Sequence, residues 1–207
     1  MNVVLSSAYL PNLHYFYYIF NAQTITIEGH ENYQKQSFRN RTQLLSANGV
    51  LNLSIPIVKN NSLPLITDIE ICYKENWQKN HWRAIESAYK NSPYFEFFET
   101  DLKQFYTTPS QNLFQFNLNQ LQLILKLLKQ PVPINYTTSY QKQLNNVFDL
   151  RQTIHPKINF SDDVLVTNKL NTPYYQTFET KFNFIPNLSI LDALFNIGLN
   201  TCKLLKA

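Results

Sequence analysis

Residues 2–28 run NVVLSSAYLPNLHYFYYIFNAQTITIE, and the fold class turns on them. The apolar run in residues 2–6 (NVVLS) predicts a short buried strand that ends in the turn before Pro11. Residues 12–21 (NLHYFYYIFN) predict a helix with a heavily aromatic face. Residues 23–28 (QTITIE) alternate, with β-branched Thr24, Ile25, Thr26 and Ile27, which predicts a second strand. Strand, proline-containing loop, helix and strand in that order favour a parallel crossover.

Outward from this unit, residues 38–45 (FRNRTQLL) and 50–57 (VLNLSIPI) flank Ser46-Ala47-Asn48-Gly49. Asn-Gly between two strand-like runs predicts a hairpin. Residues 65–73 (LITDIEICY) alternate and are expected to join the sheet. The chain then turns helical, over 77–91, 94–105 and 113–129, with breaks set by Pro93 and Pro131. A strand over 134–138 and a short helix over 143–151 follow, and 152–187 carries no regular pattern. Ser189-x-x-Asp192 resembles a capping box and starts a last helix over 190–205. The expected fold class is α/β: a mixed sheet with an N-terminal strand-loop-helix-strand unit, a central β-hairpin and a helical C-terminal half. It is expected as a single domain over 1–207, with 1–75 mainly sheet-forming and 76–207 mainly helical.

Hydrophobic residues make up 44% of the 207 and charged residues 15%, a balance that fits a globular core and excludes disorder. Asn and Gln supply the remaining polarity, 40 residues spread without a tract. The net charge is +4, but the basic residues are diffuse, so no specific nucleic-acid partner is expected. A pull on a small anionic or sugar-containing substrate is the more economical reading. Cys72 and Cys202 form no Cys-x-x-Cys spacing, which argues against a structural zinc site. The N-terminus lacks a basic n-region, and no apolar stretch approaches the roughly 20 residues needed to span a bilayer. The expectation is a cytoplasmic protein with no membrane insertion.

Three places can carry chemistry. His14 follows the first strand, near the carboxyl end where α/β sheets place ligands. The bland alternative is a surface histidine without a role. Arg39 and Arg41 alternate on one predicted strand face, with Asn40 on the other, and arginine forks suit phosphate or carboxylate oxygens. The alternative is a charged edge strand that deters aggregation. His81 shares helical register with Trp77, Ile85 and Ala88, so it lies on the apolar stripe, as a core histidine or as one lining a cleft. With only Gly29, Gly49 and Gly198, neither a dinucleotide fingerprint nor a P-loop can be built. No G-x-S-x-G elbow and no metal-ligand pair occurs, so no metal is expected and no cofactor is indicated.

Several landmarks stand in a characteristic order: Tyr9-Leu10-Pro11, the segment Tyr33 to Arg41, Trp77 and His81, Ala88-Tyr89, and Pro93-Tyr94-Phe95. Asp149-Leu150-Arg151, Tyr175-Gln176, Phe182 and the closing run Leu188 to Gly198 complete it. In order and spacing the chain closely resembles the WbqC-like family, named after a protein associated with O-antigen gene clusters. Relatives carry His-Gln-Pro ahead of the Tyr-Leu-Pro element, where this chain has Leu5-Ser6-Ser7-Ala8. They carry Gly-Tyr-Phe after it, where this chain has His14-Tyr15-Phe16, so His14 is a candidate substitute for the leading histidine. The resemblance implies signature positions at Tyr9, Pro11, Asn40, Arg41, His81, Tyr89, Phe95, Asp192 and Asn196. It implies His81 and His14 as catalytic candidates and Asn40, Arg41, Tyr9 and Tyr89 as substrate-binding ones. Three functions stay open: a group-transfer enzyme acting on sugars or activated sugar precursors, a nucleotidyl-transfer-like domain, or a non-catalytic binding or scaffold protein. In the last, aromatic clusters at 15–20 and 94–98 would form a sugar-stacking surface or a homo-oligomer interface, against the plainer reading, favoured here, that they belong to the core.

Overall fold

A computed structural model describes residues 1–59 and 63–206. Four short strands form a parallel sheet in the order β5-β2-β1-β6. They are β1 (Asn2–Ser6), β2 (Thr24–Glu28), β5 (Ile134–Tyr136) and β6 (Phe148–Asp149). β1 and β2 pair in register from Asn2↔Thr24 to Ser6↔Glu28, so both carboxyl ends reach the same edge. Between them lies α1 (Leu13–Asn21), as the opening sequence predicts. Asn12 caps this helix: its side-chain oxygen accepts from the Tyr15 backbone N–H at 3.1 Å. Leu13 through Ile19 are all buried, so α1 is a core helix without a solvent stripe. The aromatic run at 15–19 is therefore core, whereas Phe97 in the second cluster is 74% exposed.

The hairpin forms as expected, β3 (Arg41–Ser46) against β4 (Gly49–Ser54), but as a separate two-stranded sheet. Residues 38–40 lie in a turn ahead of β3. The Ser37 hydroxyl donates to the Gln34 carbonyl at 2.6 Å, and Gln36 takes a left-handed φ of 57°, which bends the chain where strand alternation was expected. Residues 65–73 are likewise not a strand. Ile66, Ile69 and Ile71 are buried, but around a 3-10 turn (Ile66–Asp68) tied down by single bridges.

The helices α2 (Trp77–Tyr89), α3 (Phe95–Lys103) and α4 (Leu113–Leu127) follow the predicted spans within a few residues. The short helix expected over 143–151 is replaced by β6, whose two residues complete the parallel sheet beside β1. Two four-residue helices, α5 (Thr167–Leu170) and α6 (Glu179–Phe182), punctuate the long irregular segment.

The predicted last helix is two, α7 (Ile190–Ile197) and α8 (Asn200–Leu205). Gly198 breaks it at φ 56°, and a Cβ there would stand 2.8 Å from the Tyr94 ring, so no other residue fits. The break turns Leu199 outward, 42% exposed, while Leu191, Leu194 and Phe195 pack inward. Ser189 caps α7, its hydroxyl oxygen accepting from the Leu191 N–H at 3.3 Å and its O–H donating to the Leu10 carbonyl at 3.0 Å. Ser189→Ala should cost about 1–2 kcal/mol, read from the urea midpoint. A midpoint shift within error would show that the cap is idle.

Candidate functional site

In an open parallel sheet, ligands sit beyond the carboxyl ends of the strands where neighbouring connections diverge. Here that point lies between β1 and β6. From β1 the chain runs through α1 to β2 on one side, while β6 flanks the other. A crevice opens there. Its inner end is lined by Ser6, Ser7, Asn12, Tyr15, Arg39, Leu150 and Ile154. It holds about 10 Å³ of free space, room for about one water, beside a Ser7 hydroxyl that is buried and has no protein partner among the described residues. Asn12, Phe38 and Ile154 continue into an outer chamber of about 190 Å³, where His14, Thr153, His155, Asn159 and Asn187 present polar groups.

The loop that shapes the crevice is held under strain. Leu10 adopts a left-handed φ of 41°, uncommon for a branched residue. Its carbonyl accepts two buried hydroxyls, from Thr42 at 2.8 Å and Ser189 at 3.0 Å. The hairpin and the C-terminal helix thereby clamp the turn after β1.

Beneath the crevice lie two buried ion-pair sets. Arg39 grips Glu31 in two-point geometry, Nε to Oε1 at 2.8 Å and Nη2 to Oε2 at 2.5 Å, and donates to the Ser6 hydroxyl at 2.8 Å. Arg151 donates to Glu28 at 2.8 Å and to Asp149 at 2.6 and 2.8 Å. Glu28, Glu31 and both arginines are buried. The Arg151 hydrogen bonds hold the Asp149 carboxyl below the usual carboxylate range, against the opposing pull of burial. These sets tie the ends of β1, β2 and β6 to one another.

His14 is the titratable side chain that faces both the outer chamber and the groove next to it. Its Nε2 lies 2.9 Å from Asp163 Oδ2, which also accepts from the Tyr18 hydroxyl at 2.6 Å. Burial lowers the His14 pKa, and the Asp163 bond opposes that shift in part. The ring is therefore neutral near pH 7, with Nε2–H donated to Asp163 and the Nδ1 lone pair left over. The first-turn amides of α1 are not available to a phosphate. Those of Leu13, His14 and Tyr15 donate to the Leu188 carbonyl, the Asn187 side chain and the Asn12 side chain.

The other residues singled out in the sequence are not gathered here. His81 faces inward, as its register requires, but onto packed protein and not a cleft. It is 6% exposed, lines no part of the crevice, and its Nδ1 lies 2.9 Å from the Tyr9 hydroxyl. Tyr9 bonds in turn to the Tyr106 hydroxyl at 2.9 Å. Burial pulls the His81 pKa down to about 4, with a partly opposing hydrogen bond to the Ser54 backbone. Tyr89 is buried against Asp192, to which its hydroxyl donates at 3.1 Å. The Asn40 amide donates to the Ile55 carbonyl at 2.8 Å and closes the base of the hairpin. Arg41 lines a different cavity. His14, Asn40 and Arg41 thus do not converge.

Glu28, Glu31, Asp163 and Ser7 are the site residues that sequence reading passed over. The pairs Glu31–Arg39 and Glu28–Arg151 are 8 and 123 residues apart, and only a carboxylate at the end of an alternating strand hints at them. Among the described residues no group of three or more His, Cys, Asp or Glu is placed to hold a metal ion, and no helix is long and apolar enough to cross a membrane.

Together these features define an α/β domain with a polar crevice at the switch point of a parallel sheet. The chain belongs to the WbqC-like protein family, whose model matches residues 6–159. That span begins at the last residue of β1 and takes in His14, the hairpin, Arg151 and the Thr153–His155 wall. No curated protein and no solved structure matches the chain.

Proposed function

We propose that the chain is a small group-transfer enzyme that acts on a hydroxyl-bearing sugar or activated sugar precursor in the carboxyl-edge crevice. The observation that carries this reading is the His14–Asp163 pair beside the outer chamber. Asp163 fixes the tautomer by accepting the Nε2 proton, and the neutral ring then offers Nδ1 to take a proton from an acceptor hydroxyl. Thr153, His155, Asn159 and Asn187 are suited to orient the hydroxyls of a sugar. The amides of α1 are already bonded, which counts against the nucleotidyl-transfer reading.

The test is product formation, followed by mass spectrometry, with a panel of nucleotide sugars and sugar acceptors. His14→Gln should lower the rate about 100-fold or more, the usual share of a general base. In the unmodified protein, activity should fall on the acid side, below the ordinary histidine range, because burial lowers the His14 pKa. An unchanged rate in His14→Gln, or no turnover across the panel, would remove the proposal.

A further inference from the structure

A second cavity shares no lining residue with the crevice. Its free volume is about 680 Å³, within the range that small organic ligands fill. Three cationic residues line it: Lys35 in the turn after Tyr33, Arg41 at the first position of β3, and Lys59 beyond β4. No carboxylate stands among its described lining residues, and none of the three cations has an ion pair among the described residues. The contrast with Arg39, two residues away and gripped by Glu31, is direct. Arg41 Nε is buried and has no hydrogen-bond partner among the described residues. A buried guanidinium N–H without an acceptor is costly, and a bound oxyanion would supply one. Apart from Gln36 the remaining described wall is apolar, with Ile57 and Ile69, and Tyr33 adds a ring whose phenol lies in the field of Arg41.

We infer that this cavity is a binding site for a small organic phosphate ester. Arg41 offers the phosphate a two-point fork, Lys35 and Lys59 add point charges, and Tyr33 with the apolar wall receives the organic part. The wall and the volume exceed what an inorganic ion needs. The three cations line one half-open cavity, with Lys35 and Lys59 at exposed positions on its rim, and a single cavity of this volume fits a small molecule better than nucleic acid.

Isothermal titration of the full chain with UMP and glucose 1-phosphate, against uridine and glucose, tests it. Both phosphates should bind, more weakly as salt rises, and the uncharged pair should give no heat that Arg41→Ala removes. Arg41→Ala should weaken UMP about 10-fold or more, and Arg41→Lys less, because the charge stays and the fork is lost. Lys35→Glu, at an exposed position that carries no packing, should abolish binding and shows the same point without risk to the fold. His14→Gln should leave UMP affinity unchanged, which separates this site from the proposed reaction. The inference is overturned by undiminished affinity in Arg41→Ala and Lys35→Glu, or by loss of affinity in His14→Gln. Tighter binding of a single-stranded oligonucleotide than of UMP would also overturn it, in favour of nucleic acid.

Discussion

Arg39→Ala is expected to destabilise the protein by about 3–5 kcal/mol, the range for a buried ion pair broken from one side. Arg39 is 3% exposed and makes four side-chain hydrogen bonds, two to Glu31 and one each to Ser6 and Gln34. Glu31 is itself 3% exposed, and without Arg39 the Ser6 hydroxyl at 3.1 Å is its remaining side-chain donor among the described residues. An uncompensated carboxylate in that position must either stay charged in a poor dielectric or take up a proton, and both cost free energy. The loss should be much smaller in an Arg39→Met, Glu31→Met double variant, since replacing both partners by apolar groups leaves no orphan charge. Urea unfolding of the single and double variants reads both numbers. A single variant within about 1 kcal/mol of the parent would show that solvent reaches Glu31 and that the pair does not hold the carboxyl edge.

Arg39 also shows where sequence reasoning reaches and where it stops. The crossover over residues 2–28 was legible because period, β-branching and Pro11 all agree, and the Asn48-Gly49 turn was legible because its chemistry is local. The strand expected at 65–73 failed for a definable reason. Alternation reports which residues are buried, and Ile66, Ile69 and Ile71 are, but it does not supply a neighbouring strand to pair with. β6 escaped notice because two residues carry no period, though its pairing with β1 creates the switch point. In the same way Arg39 looked like half of an exposed basic face, since nothing local reveals that Glu31 waits behind the turn. His14 was reachable by topology alone, whereas its partner Asp163 comes from an irregular segment 149 residues away.

His81 should make the fold acid-sensitive. Its helical register was read correctly, but register cannot distinguish an inward face that is packed from one that is hollow. The ring is packed against Trp77 and Tyr9, at centroid distances of 5.1 and 5.7 Å, and its folded pKa is pulled down to about 4 from 6.5. Between those values the unfolded chain binds the extra proton and the folded chain does not. The stabilisation is therefore complete above about pH 6.5 and is lost as pH falls through about 4, by on the order of 3 kcal/mol. His14 acts with the same sign, because its pKa is also lowered by burial. Asp192 acts with the opposite sign. It is buried and its pKa is raised to about 6, despite donors from Tyr174, Gln176 and Tyr89, so its contribution falls as pH rises from about 4 to about 6. The parent protein should then show a muted acid slope, the difference of the two. His81→Gln can still accept from Tyr9 and donate to the Ser54 carbonyl but does not titrate. It should cost about 1–2 kcal/mol at neutral pH and flatten the acid loss. Asp192→Asn should be less stable throughout and steepen it. Urea midpoints from about pH 7 to about pH 4 separate these outcomes, and a His81→Gln variant with the parent's slope would place the acid sensitivity elsewhere.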